Sequence, residues 1–192
     1  MNIKISKHCL HLLFVLALNI CPALFSTTAS AAELYETVRI DSTGQLHIVT
    51  LDKRDIVPPK REIKLGGEML KQAGFSNAVI SDDKTTVGWL AEYPNCCTSY
   101  PIPLELVIYR NGGVLRVFSG NELPIWRWVF EKHGTQVAFE QETVHGGLGI
   151  HFELREIKSG LLVDKHDNDP TPDAPAWIRD LTPKKPIPPA GE

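Results

Sequence analysis

Two adjacent cysteines, Cys96 and Cys97, sit in the stretch "EYPNCCTSYPIP" between Glu92 and Pro103, flanked by Tyr93 and Tyr100. Vicinal thiols offer three chemistries. They can close a small ring disulfide, which is strained and therefore readily reduced. They can remain thiols, or they can serve a metal or redox site. A thioredoxin-type site needs two spacer residues and a helix N-terminus to lower a thiol pKa, and this stretch has neither. A zinc site needs further ligands at defined spacing. His145 and His151 in "HGGLGIH" are the nearest candidates by type, and no acid or thiol at ligand spacing accompanies them. The favoured reading is a loop stiffened by a Cys96–Cys97 ring disulfide, and "HGGLGIH" reads as a long hairpin loop with two exposed histidines.

Other stretches are weaker. In "IWRWVF", Trp126 and Trp128 fall on one face of a strand with Arg127 on the other. Such a pair can stack on a sugar, but the flanking Ile125, Val129 and Phe130 favour a packing face. "DKHDNDPTPD" offers Asp164, Asp167, Asp169 and Asp173, without the glycine and terminal glutamate of an EF-hand. No nucleophile elbow, zincin helix or phosphate-binding glycine loop is present. The sequence assigns no catalytic residue, no metal ligand and no cofactor. It assigns a binding set of Tyr93, Cys96, Cys97, Tyr100, His145 and His151.

The elements that must position these residues are strands. "LYETVRI" and "LHIVTL" flank the turn Asp41–Gly44 and predict a hairpin. "PLELVIYRNGGVLRVFSG" predicts another, turning at Asn111-Gly112. "PIWRWVFEKHGTQVAFEQET" turns at Lys132–Gly134, and "IHFELREIKSGLLVDK" at Lys158–Gly160. "LGGEMLKQAGF" is the one helix candidate, since Glu68 to Ala73 are helix formers bounded by glycines. "DKHDNDPTPDAP" predicts a loop, "AWIRDL" a short docking segment anchored by Trp177, and residues 183–192 a Pro-rich disordered tail.

The strands repeat. "ISDDKTTVGWLAEY" aligns with "VFEKHGTQVAFEQE", and "LELVIYRNGGVLRVF" with "FELREIKSGLLVDK". Val87 and Val137 stand about fifty residues apart, the spacing of a four-stranded propeller blade. Over residues 75–165 these motifs resemble the turn-and-strand signature of secreted bacterial WD-like β-propeller repeats. The span from Gly88 to Gly160 also resembles a group of uncharacterised exported bacterial proteins, a likeness that carries no activity. The resemblance implies an all-β antiparallel meander of blade-like units with at most one short helix. Two units plus an N-terminal hairpin fall short of a closed propeller, so an incomplete ring or a small sandwich is expected.

Compartment is read from residues 1–31. Lys4 and Lys7 precede an apolar run from about residue 10 to 25, and Ala29-Ser30-Ala31 is a small-x-small site. Cleavage after Ala31 by a Sec-type signal peptidase is predicted, giving a periplasmic or secreted bacterial protein with a single β-rich domain over 32–182. Asn19 and Pro22 interrupt the run, which argues against a stable membrane span. Cleavage removes Cys9 and Cys21, leaving Cys96 and Cys97 with no other cysteine in the chain. Of 20 basic and 23 acidic residues, losing Lys4 and Lys7 leaves 18 against 23, a net charge of −5. That balance argues against a nucleic-acid partner. The functional expectation is a non-enzymatic binding or scaffold protein of the cell envelope that engages a protein or glycan. The alternative is a periplasmic thiol- or metal-dependent enzyme centred on Cys96-Cys97.

Overall fold

The computed structural model describes residues 32–95, 98–120, 123–145, 147, 149–168 and 171–181. Residues 1–31 with the expected signal peptide, Cys96 and Cys97 with their suggested disulfide, Asp169 and the tail 183–192 lie outside the described residues. Strands β1 (Tyr35–Ile40), β2 (Leu46–Thr50) and β3 (Asp55–Ile56) form a three-stranded sheet, and β4 (Glu62–Leu65) pairs with β5 (Glu68–Lys71). A four-stranded meander follows: β6 (Gly74–Ile80), β7 (Val87–Tyr93), β8 (Ile102–Arg110) and β9 (Gly113–Ser119). A second comprises β10 (Ile125–Glu131), β11 (Gln136–Gln141), β12 (His151–Glu156) and β13 (Leu162–Asp167), and α1 (Ala176–Leu181) ends the described chain. Every pairing is antiparallel between strands consecutive in sequence. The fold is therefore an all-β meander with one short helix, and none of its sheets closes on itself.

The layers stack in series. One face of the β6–β9 sheet packs Trp89, Ala91, Tyr93, Val107 and Tyr109 against Tyr35, Leu46 and Ile48 of the first sheet. Its other face packs Leu90, Leu106 and Ile108 against Ile125, Trp128, Val137 and Phe139 of the β10–β13 sheet. The far face of that sheet, with Ala138, Phe152 and Leu154, is covered by Trp177, Ile178 and Leu181 of α1. Being sandwiched on both sides explains why β7 and β8 read as nearly continuous apolar runs rather than alternating ones. "AWIRDL", expected as a docking segment, is the single helix, with Trp177 buried as its anchor.

Close approach between the two meanders depends on Gly88. A Cβ at Gly88 would lie 2.9 and 3.0 Å from Cζ3 and Cζ2 of Trp128, and nearer still to Cη2. The Trp128 indole is tethered there, because its Nε1 donates to the Asn77 carbonyl at 3.1 Å. Asn77 sits at an irregularity of β6, between Ser76 and Val79, which frees that carbonyl from the ladder.

Three expectations are corrected. Glu68 to Ala73 do not form a helix, since Glu68–Lys71 is strand β5. Gly66 and Gly67 both have positive φ (57° and 91°), as a two-residue hairpin turn requires, and Ile63 pairs with Leu70 across it. With Ile63, Leu65 and Leu70 packed on the first core cluster, tertiary burial overrides the local helix preference. The acidic stretch from Asp164 is not all loop, because Asp164 to Asp167 belong to edge strand β13. Its residues are mostly exposed, so no alternation marks the strand, and backbone pairing to β12 sets it. Trp126 and Trp128 also part company. A register shift between Ile125 and Arg127 sends Trp126 to the first cluster and Trp128 to the second.

Candidate functional site

β7 ends at Tyr93 and β8 begins at Ile102, so the Cys96-Cys97 loop caps one end of the β6–β9 meander. β11 ends at Gln141 and β12 begins at His151, so the loop carrying His145 occupies the matching position in the other meander. Val144 of the second loop packs against the core cluster that also holds Tyr93, Ile102 and Leu104.

Asn95 organises the first loop. Its Nδ2 donates to Thr98 Oγ1 at 2.6 Å and to the Tyr100 carbonyl at 2.9 Å, and its Oδ1 accepts from the Thr98 amide at 2.8 Å. One side chain thus ties the backbone together on both sides of Cys96-Cys97, the local bonding that suits asparagine to turns. Tyr100 projects outward with 53% of its surface exposed, whereas Tyr93 is fully buried.

Beneath the loop lies a charged network. Tyr93 Oη donates to Glu105 Oε2 at 2.6 Å. Arg61, from the connector before β4, donates from Nε to Glu105 Oε2 at 2.8 Å and from Nη2 to Oε1 at 3.3 Å. Burial first, and then the hydrogen bond to Glu105, holds the Tyr93 phenol well above its ordinary pKa, so it stays a donor. The same carboxylate raises the Arg61 guanidinium, chiefly by hydrogen bonding. Three polar side chains therefore satisfy one another inside an otherwise apolar cluster.

Two adjoining hollows open beside this network. One, of about 310 Å³, is lined by Ile63, Leu65, Leu104, Glu105, Ser119 and Leu123. The other, of about 500 Å³, is lined by Leu65, Gly66, Leu70, Pro94, Asn95 and Ile102 among others. They share Leu65 and Leu104, so the β4–β5 hairpin and the Cys96-Cys97 loop form the two banks of one mostly apolar groove. Its dimensions fall in the range of small-ligand and peptide-side-chain sites.

The histidines have separate environments. His145 is exposed. His151 bridges two carboxylates, with Nδ1 against Asp167 on β13 and Nε2 3.1 Å from Glu153 Oε1. Glu153 also accepts from Arg155 Nε at 2.5 Å. Partial burial opposes the imidazolium, but the hydrogen bonds to Asp167 and Glu153 prevail and raise the His151 pKa. Among the described residues, no hydrogen bond or ion pair joins either histidine to Tyr93 or Tyr100. No three of the described His, Cys, Asp and Glu residues are arranged to hold a metal ion. No described helix is long and apolar enough to cross a membrane.

Arg61, Glu105, Leu65 and Leu104 were not singled out by the residue pattern. Glu105 does carry a signal: a lone acid inside the apolar run "PLELVIY" must find a partner if both faces are buried. Arg61 carries none, being 44 residues away in a Pro-containing connector. A scan against protein-family models gives no match, and a search of the curated proteins finds none similar to this chain.

Proposed function

We propose that this chain is an exported, non-enzymatic binding or scaffold protein of the bacterial cell envelope. It engages a protein or glycan through the loop end of its two blade-like meanders. The observation that carries this reading is the juxtaposition at that end. An Asn95-braced loop with an exposed tyrosine stands beside a groove, and the second long loop packs against the same cluster through Val144. Rigid sheets presenting long loops at one end are a common binding platform.

The test is capture from envelope extracts and from purified cell-wall glycan. The mature chain is compared with a variant in which residues 94–101 and 142–150 are replaced by short turns. A partner held by the mature chain and lost by the variant supports the reading. Identical capture by both sinks it. Intact mass of the exported protein, before and after reduction, shows whether the chain starts at Ala32 and whether Cys96 and Cys97 are joined. A loss of reductase or metal-dependent activity on Cys96→Ser would favour the thiol enzyme instead.

A further inference from the structure

β9 is the outer strand of its meander, and no strand lies beyond it in that sheet. Other sheet ends are blunted. β3 has two residues and leads through Val57 to Pro58 and Pro59, while on β13 the Asp164 carboxylate takes the Lys165 amide at 2.9 Å. β9 contains neither proline nor acid. It bulges once, at Leu115, because Tyr109 and Ile108 pair with Val114 and Arg116. From Arg116 to Ser119 its pairing is regular, and among the described residues no hydrogen bond outside the β8 ladder uses its backbone there. An edge of this kind is a template for one more strand.

A hollow flanks this edge on each face of the sheet. On the face toward the first sheet, Ser119 and Gly120 meet Ile63, Leu65 and Leu104 around the mostly apolar hollow of about 310 Å³. On the face toward the β10–β13 sheet lies a mostly polar one of about 280 Å³, lined by Arg116, Phe118, Ser119, Arg155, Ser159 and Gly160 among others. Two guanidiniums converge there on Gly160. Arg155 donates to its carbonyl at 3.1 Å, and a Cβ at Gly160 would lie 3.4 Å from Arg116 Nη1. Arg155 is neutralised by Glu153. Arg116 donates to the Ile157 and Lys158 carbonyls and pairs with no acid among the described residues. No carboxylate lines this hollow.

We propose that the β9 edge accepts an extended peptide segment of a partner protein as a further strand, with side chains alternately apolar and acidic. Main-chain hydrogen bonds to Arg116–Ser119 hold the segment. Side chains alternate across a strand, so every second one faces the apolar hollow and those between face Arg116. An acid at that position gives Arg116 the ion pair it lacks. The site adjoins the loop-end groove but does not rest on that reading, since neither long loop lines it.

Titration of the mature protein with the peptide acetyl-TVEVEVT-amide, followed by ¹H–¹⁵N correlation spectra, tests this. Two peptides serve as comparisons: acetyl-TVKVKVT-amide, which reverses the charge, and the acidic peptide with all its central amides N-methylated, which cannot pair along an edge. The acidic peptide is expected to shift the Arg116–Ser119 amides saturably while leaving those of β1–β3 in place. The basic peptide should bind about three- to tenfold more weakly, the loss of one charged hydrogen bond at a partly exposed site. The N-methylated peptide should give no saturable shift. Arg116→Met should remove the preference for the acidic over the basic peptide. The variant with both long loops shortened should bind the acidic peptide as the mature chain does. The proposal is overturned if the acidic peptide leaves Arg116–Ser119 unshifted, if the N-methylated peptide binds equally, if the charge preference is absent or survives Arg116→Met, or if shortening the loops abolishes binding.

Discussion

Replacing Gly88 by alanine tests the packing of the two meanders against each other. The new methyl would meet the Trp128 ring edge at 3.0 Å or less through three ring carbons, against ordinary carbon contacts of about 3.5–4.0 Å. The ring cannot slide away freely, because that motion breaks its bond to the Asn77 carbonyl. Overpacking of this kind costs about 1–3 kcal/mol, and the tethered ring puts this site near the upper end. Alanine in a strand otherwise recovers about 0.5–1 kcal/mol over glycine. The net expectation is a loss of about 1.5–2 kcal/mol, or a Tm lowered by roughly 3–8 °C for a domain of this size.

Trp128→Leu alone should cost about 3 kcal/mol from lost burial and the lost hydrogen bond. In that background Gly88→Ala should cost nothing, because the ring that obstructed the methyl is gone. Urea unfolding followed by far-UV circular dichroism measures all four proteins, with an unchanged m-value confirming that only stability has shifted. The reasoning fails if Gly88→Ala alone matches or exceeds the parent in stability. It also fails if the two substitutions add within about 0.5 kcal/mol, the behaviour of sites that do not touch.

Arg61→Met should lower stability by about 2–3 kcal/mol in the same urea assay, because it strips a buried carboxylate of its cation; a change under about 0.5 kcal/mol would contradict the network. Asn95→Ala should speed hydrogen exchange at the Thr98 amide while leaving the exchange of β7 and β8 unchanged, and equal protection in both proteins would refute the brace. His151 gives a pH dependence of definite sign. Its folded pKa is raised, so its contribution is complete below the ordinary histidine value and is lost as pH rises through the folded one. Asp167 is lowered, chiefly by its hydrogen bond to His151, so its share is present above the ordinary carboxylate value and is lost only in acid. The stability gap between the parent and His151→Phe should therefore be wider at about pH 5.5 than at about pH 9, and a gap independent of pH would count against the bridge.

Much of the fold was legible because hairpin chemistry is local. Asp41 shows why: its carboxylate accepts from the Thr43 and Gln45 amides at 2.8 and 2.9 Å, closing the β1–β2 turn from within five residues. The turns at Asn111-Gly112, Lys132–Gly134 and Lys158–Gly160 declare themselves in the same way, and they set the order of the strands. What escaped was whatever depended on distant surfaces. Glu68–Lys71 became a strand because Leu70 had a cluster to pack on, and β13 is a strand because β12 offered it a ladder. The site divides along the same line. Tyr93, Tyr100 and the special character of the Cys96-Cys97 loop are visible in twelve residues. Yet the groove has a second bank, the β4–β5 hairpin, and a floor tied by Arg61 to Glu105, both placed by long-range packing. Local composition determines which backbone conformations are cheap. Only the assembled layers determine which side chains lose their water together, and so which of them need a partner.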